Sequence, residues 1–285
     1  MSTPPIAASN AAQIDYWNAA ASQTWVRFQE QLDRQIGPLG REAMRVLAPA
    51  PGERILDIGC GCGQTTLELA ARVGSSGAVV GADISRPMLE VAGQRPLPAG
   101  TTRPQFRQID AQSGDLGQAE FDAVFSRFGV MFFSDPAGAF GNIRAAMKPG
   151  GRLAFVCWRP FQDNLWMREP MDAARPFLPP QPPMDPTAPG PFAFADADRV
   201  RSILKAAGFG SIAIEPFDAR VGGADVEQTL QLTFNVGPLG AALREQPDLA
   251  DKVGDAIRDV LAGYETPEGV LMPAAVWIVQ ARNPG

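Results

Sequence analysis

Residues 54–66 read RILDIGCGCGQTT: an apolar run from Arg54 to Ile58 holding one acid, Asp57, then Gly59, Gly61 and Gly63 on alternate positions, then a helical pattern from Gln64. A buried strand that breaks into a glycine turn and re-enters as a helix is the opening of a βα unit. Glycines there tolerate positive φ and let the backbone approach a ligand closely. A dinucleotide fingerprint would want a glycine at 64, where Gln64 stands, so the helix N-terminus is an imperfect pyrophosphate site. Asp57 points the same way. A carboxylate before the turn repels a pyrophosphate but can accept hydrogen bonds from an ammonium group.

Working outward, short apolar runs at Arg54–Ile58, Ala78–Ala82, Gln105–Ile109, Phe121–Phe125 and Arg152–Trp158 predict strands. Helical patterns fall between them at Gln64–Val73, Pro87–Gln94 and Pro136–Met147. This alternation predicts an α/β fold with a parallel sheet covered on both faces. Lys148-Pro149-Gly150-Gly151 reads as the turn into the fifth strand. Ahead of the first strand, Ala11–Gln35 reads as a helix or two carrying Tyr16, Trp17, Trp25 and Phe28. Beyond Trp158 the alternation breaks. Pro176–Pro191 holds eight prolines and is expected to run extended, as a connector or as a lid. Helices at Asp196–Ala207, Asp225–Asn235 and Asp248–Leu261 follow, with strands at Ser211–Pro216 and Ala274–Gln280.

Two further acids fall in register with Asp57. Asp83 ends the second strand in GADI, twenty residues past Gly63, where a carboxylate can accept from both hydroxyls of a ribose. Asp110 follows the third strand and can accept from an adenine amino group. Acids at the C-terminal ends of successive parallel strands line one crevice, the place where open α/β sheets bind ligands.

Composition narrows the chemistry. Histidine is absent from all 285 residues, which removes Ser-His-Asp and Cys-His machinery and His-ligated metals. Lys148, Lys205 and Lys252 are the only lysines, so Schiff-base chemistry has few candidates. A net charge of −6 offers no basic track for nucleic acid. Three cysteines, Cys60, Cys62 and Cys157, make no disulfide framework and lack the partners of a metal site. No basic leader and no apolar run of about 20 residues is present, so a soluble protein of the reducing cytoplasm, without a membrane partner, is expected.

With these motifs in place the sequence resembles the class I S-adenosylmethionine-dependent methyltransferases, in the small-molecule branch of the ubiquinone/menaquinone-biosynthesis type. LDIGCGCG at 56–63, GADIS at 81–85, QIDAQ at 108–112, FDAVFSRFGVMFF at 121–133 and KPGGRLAF at 148–155 carry the resemblance, closely from Met44 to Trp158. It implies a Rossmann-like, seven-stranded, mostly parallel sheet with an antiparallel last strand. It also implies an N-terminal helical lid over residues 1–37 and a methyltransferase domain over 38–285, with helical cap insertions at about 159–195 and 217–273.

For S-adenosyl-L-methionine and its product S-adenosyl-L-homocysteine the resemblance implies a site built from Asp57, Gly59, Gly61, Gly63, Thr65, Asp83, Ile84, Met88, Asp110, Ala111 and Ser126. Trp25, with Tyr16 and Trp17, would close over the sulfonium, or simply staple the first helix to the core. Arg127 and Tyr16 are the candidate catalytic residues. Phe128, Arg159 and Trp166 are candidate contacts to a small-molecule acceptor. Phe177, Phe192, Phe194, Met167, Met171 and Phe234 would supply apolar walls, or else ordinary core. Arg127 and Arg159 also fit ordinary surface charges; at a pocket mouth either suits a carboxylate or phenolate. The expected activity is methyl transfer to O, C or N of a small apolar or aromatic metabolite, with no metal. Two other readings stay open: a nicotinamide-dependent oxidoreductase, against which Gln64 counts, and a non-catalytic module that binds the cofactor.

Overall fold

The computed structural model describes residues 10–179 and 185–285. Its strands are β1 (Arg54–Ile58), β2 (Ala78–Asp83), β3 (Gln105–Gln108), β4 (Phe121–Arg127), β5 (Met147–Trp158), β6 (Gly210–Ala224), the two-residue β7 (Glu265–Thr266) and β8 (Gly269–Arg282). They form one sheet in the order β3-β2-β1-β4-β5-β8-β6, with β7 paired to β8. The strands from β3 to β5 are parallel, and β8 runs antiparallel to both β5 and β6. This is the mostly parallel sheet with an antiparallel last strand that the sequence implied, with β7 as a small addition. The order reverses between β1 and β4, so the ends of β1, β2 and β4 open on the crevice where such sheets hold ligands.

Around the sheet lie α1 (Ala11–Asn18), α2 (Ala20–Arg27), α3 (Gln29–Leu47), α4 (Gln64–Val73), α5 (Arg86–Gln94), α6 (Pro136–Ala146), α7 (Leu165–Ala174), α8 (Ala197–Ala206), α9 (Val226–Asn235), α10 (Gly237–Glu245) and α11 (Ala250–Ala262). The central strands are apolar on both faces: Ile55, Leu56, Ile58, Phe121, Val124, Phe125, Phe155 and Val156 are all buried. A smaller core joins α7, α9, α10 and α11 through Leu230, Leu239, Leu243, Val253, Ile257 and Leu261. Among the described residues no helix is long and apolar enough to cross a membrane.

Four sequence expectations are corrected. The boundary expected after residue 37 falls inside α3, which continues through Pro38 to Leu47. Burial explains the continuity: Leu32, Ile36, Leu39, Ala43, Met44 and Leu47 form an apolar stripe, and such packing outweighs a proline's local cost. The Lys148–Gly151 turn is instead the beginning of β5, with Met147 paired to Phe121 and an irregularity before Ala123. β6 and β8 are far longer than the runs that announced them. Residues 217–224 and 270–276 pair as a two-stranded ribbon, so the inserted helices of the second cap lie within 225–268 rather than 217–273. Finally, α7 and α10 are helices that no periodicity had marked; Pro170 lies inside α7 and obscured it.

The proline-rich stretch falls partly outside the described residues, at 180–184. On either side of it, Arg175–Phe177 make a single tight turn, and Phe192 and Phe194 are buried in the main core.

Candidate functional site

The glycine turn is built by close contact. Gly59 (φ +66°) lies so near Gly129 that a Cβ on Gly59 would sit 2.6 Å from the Gly129 Cα, and neither turn can take a larger residue. Gly63 (φ +82°) caps α4 and is walled by Ala92 and Phe106. Gly61 differs: a Cβ there would find only the Met88 Sδ, at 3.9 Å, so the turn faces open space at this point. The Gly61 N–H donates to Asp83 Oδ2 at 2.8 Å, and the Ser85 N–H donates to Oδ1 at 2.8 Å. Each oxygen keeps a lone pair for a further donor.

Asp57 is fully buried behind the turn. Thr65 and Thr66 hydroxyls donate to its Oδ2 at 2.7 and 2.6 Å, while Oδ1 has no partner. Burial pushes its pKa up to about 6 against the help of both threonines and the Arg127 charge. Burial also raises the pKa of Asp83. Thr65 therefore acts through Asp57, and Thr66, which sequence reading missed, does the same. Two buried carboxylates, one with an unused oxygen, make a site short of a positive charge.

Asp110 is partly occupied. The Gln112 N–H and the Asn10 side-chain amide donate to its Oδ1 at 3.0 and 3.1 Å. Asn10 starts α1, which lies across the rim. Asn18, at its other end, donates to the Ile84 carbonyl at 2.9 Å and accepts from the Arg86 N–H at 3.0 Å. Trp17 packs edge-on to Trp25 and Phe132, which fastens the helix. Asn10 Oδ1, Gln13 Oε1 and Ser85 Oγ are buried without partners on this same side. Nothing in the sequence around Asn10 marks it. Met88 and Ala111 are buried beside the rim, and Ser126 Oγ accepts from the Gly129 N–H at 3.2 Å.

Several expected acceptor residues lie elsewhere. Tyr16 is 47% exposed, with its ring edge-on to Trp17. Arg127 turns under α3, donating to Asp33 Oδ1 at 3.1 Å and also to Gln64 Oε1. Arg95 donates to the other oxygen of Asp33 and to Gln29 at 2.9 Å. Gln64, the residue that spoils a dinucleotide fingerprint, is thus a strut for Arg127. Arg159 is an ion-pair residue, bound to Asp163 at 2.9 Å and Asp218 at 2.7 Å, over the Trp277 ring. Of the expected apolar walls, Phe192, Phe194 and Met167 are main core, and Met171 and Phe234 pack on the smaller core. Phe177 is 42% exposed.

Phe128 and Trp158 do come together. Phe128 has a left-handed backbone (φ +63°) that is strained for an aromatic residue, and its ring stacks on Trp158 at 4.1 Å. Trp158 in turn meets Trp166 at 5.2 Å. Because Phe128 adjoins Gly129, this aromatic row begins at the glycine turn and runs toward α7.

A methyltransferase-domain family model matches residues 55–151. Residues 55–151 are thus similar to a methyltransferase domain. Within this stretch lie the glycine turn, Asp83, Asp110 and the β4 end. Curated proteins similar to this chain include the aklanonic acid methyltransferase DauC of Streptomyces sp. (strain C5), 35% identical over 42% of this chain and 54% of that protein. The demethylmenaquinone methyltransferase of Clavibacter sepedonicus is 41% identical over 40% of this chain and 44% of that protein. The chain thus matches about half the length of these relatives. The likeness of fold extends further. Phosphoethanolamine N-methyltransferase 2 of Haemonchus contortus, solved with S-adenosyl-L-methionine, superposes with a TM-score of 0.58 at 18% identity, over 99% of this chain and 62% of that one. At that identity the likeness is one of fold.

Proposed function

We propose that this protein transfers a methyl group from S-adenosyl-L-methionine to a small apolar or aromatic acceptor. The observation that carries the reading is the set of unused buried polar atoms around one turn: Asp57 Oδ1, Ser85 Oγ and Asn10 Oδ1, beside the open face of Gly61. A ligand with an ammonium group, two adjacent hydroxyls and an adenine edge supplies the missing partners. Asp57, behind the Gly59–Gly63 turn, suits the ammonium group; Asp83 suits a ribose, and Asp110 with Ala111 suits the adenine. The methyltransferase match over 55–151 supports the same assignment.

Bound there, the cofactor would supply a methyl carbon on a cationic sulfur, which keeps the bonding pair and leaves as S-adenosyl-L-homocysteine. The chain's own residues align and exclude water. α1 roofs the rim through Asn10 and Asn18, and Trp17 and Phe132 make the roof apolar. Good alignment alone is worth up to about 7–11 kcal/mol of barrier.

A general base is hard to find. Histidine is absent. Tyr16 is 47% exposed. Burial and Glu169 raise the pKa of Tyr264. Burial lifts the Cys62 thiol to about 12. An acceptor that ionises unaided needs no base, and that is the class this chemistry favours. Calorimetry tests the proposal: S-adenosyl-L-homocysteine binds at micromolar concentration and Asp83→Ala weakens it at least tenfold. Absence of binding to the intact protein, or an unchanged affinity in the variant, refutes it.

A further inference from the structure

A crevice opens where the aromatic row ends. It runs between α3, α9 and the far ends of β6 and β8, and Trp166 forms part of its wall. Val221, Leu232, Val270 and Met272 make it mostly apolar. Its enclosed volume is about 30 Å³. The interior is narrow, so an occupant must part the walls. The seam allows this: Val221 belongs to the main core, whereas Val270 and Met272 belong to the smaller core of the cap.

The polar groups in the wall are unpaired in a consistent way. The Trp166 indole N–H and the Gln31 Oε1 are both buried with no partner. Arg34 is the one charged residue in the wall among the described residues. It has no ion pair among the described residues, and its only hydrogen bond is a long one, 3.4 Å, to the Gly223 carbonyl. That carbonyl is presented by a bulge in β6 between Gly222 and Ala224. The bulge needs glycine, since a Cβ on Gly222 (φ +132°) would lie 2.0 Å from the Val270 oxygen. Among the described residues no carboxylate lines the crevice, although the chain as a whole carries a net charge of −6.

We propose that this seam holds the acceptor, and that the acceptor is an apolar molecule bearing an ionised oxygen. Arg34 pairs with that oxygen at the mouth. Deeper in, a second oxygen accepts from Trp166, and a hydroxyl hydrogen on the ligand satisfies Gln31. The apolar body lies against Leu232 and Met272, with the row Trp166–Trp158–Phe128 leading back to the glycine turn. The charged mouth assigned from sequence to Arg127 or Arg159 is thus supplied by Arg34, since both of those are consumed in ion pairs. This rests on the methyl-transfer reading only for the word acceptor; the binding site stands by itself.

The test is calorimetry on the full chain with 2-naphthoate and its neutral counterpart 2-naphthamide, with S-adenosyl-L-homocysteine titrated separately into the same samples. Naphthoate is expected to bind at least tenfold more tightly than the amide. Arg34→Gln abolishes that preference while leaving the homocysteine affinity unchanged. Trp166→Phe, which keeps the ring and removes the donor, weakens both probes severalfold. Equal binding of the two probes, no binding of either, or a preference that survives Arg34→Gln overturns the proposal. If naphthoate preference holds but S-adenosyl-L-homocysteine does not bind, the site stands and the methyl-transfer reading fails. If the homocysteine binds and the preference is absent, the reverse is true.

Discussion

Asp57→Asn is expected to gain stability on wild type as the pH rises while disabling the proposed cofactor site. Asp57 ionises near pH 6 when folded, against 3.8 when exposed, because burial opposes its charge. A carboxylate whose folded pKa is raised favours the native state least when ionised: no cost applies below pH 3.8, and the cost grows until pH 6, above which it is complete. The difference of 6 and 3.8 corresponds to about 3 kcal/mol at pH 7.5, and to about 1.6 kcal/mol at pH 5. Asparagine keeps an oxygen for Thr65 and Thr66 but buries an unpartnered NH₂ where Oδ1 now lies, a cost of about 1–3 kcal/mol. The variant should therefore gain on wild type by about 1.4 kcal/mol between pH 5 and 7.5, whatever the constant offset. Urea denaturation at the two pH values reads that difference directly. A stability difference that does not change with pH refutes the reasoning, since a hydrogen-bond loss alone carries no pH dependence. In the same samples the affinity for S-adenosyl-L-homocysteine should fall at least tenfold.

Other outcomes follow from the same geometry. Gly59→Ala drives a Cβ into Gly129 at a positive φ and should cost about 2 kcal/mol or more, lowering the melting temperature by several degrees. Arg127→Met strands Asp33 beside Arg95 and loosens α3. Its first signature is faster amide hydrogen exchange over residues 29–47, with about 2 kcal/mol lost in denaturation; a fall in rate without either change would restore Arg127 to a catalytic place. Tyr16→Phe should leave turnover within twofold and stability within about 0.5 kcal/mol, because the residue is 47% exposed and the variant keeps its ring against Trp17. Asn10→Ala should weaken S-adenosyl-L-homocysteine severalfold and expose α1 to limited proteolysis.

The parts of the molecule that are local in sequence were legible in it. β1, the glycine turn and α4 agree with RILDIGCGCGQTT to the residue, because strand burial, positive φ and helix onset each leave a mark within a few positions. Asp83 and Asp110 could be placed from the alternation alone. What escaped depends on contacts between distant segments. Asp33 looks like any charge on a helix, yet it holds Arg127 and Arg95. Asn10 sits among alanines, and only the path of α1 brings it to Asp110. The length of β6 was hidden because its outer half alternates with Pro216, Gly222 and Gly223, residues that weaken any strand signal, whereas its pairing with β8 runs past them. The acceptor side was the least readable. Arg159 and Arg127 have the chemistry to bind an anion, but ion pairing is a property of neighbours that a sequence does not show.

The ribbon of β6 and β8 carries a consequence for how such a protein diversifies. β5 accompanies β8 only as far as Val276, so the chain leaves the common sheet at Ala224 and returns at Gly269 on two strands fastened to each other. Everything between those points can be lengthened, shortened or exchanged without shifting a hydrogen bond among the five parallel strands. On the proposed reading, the acceptor's walls can therefore change, or be swapped by design, on one side of the fold while the glycine turn and its aspartates on the other stay fixed.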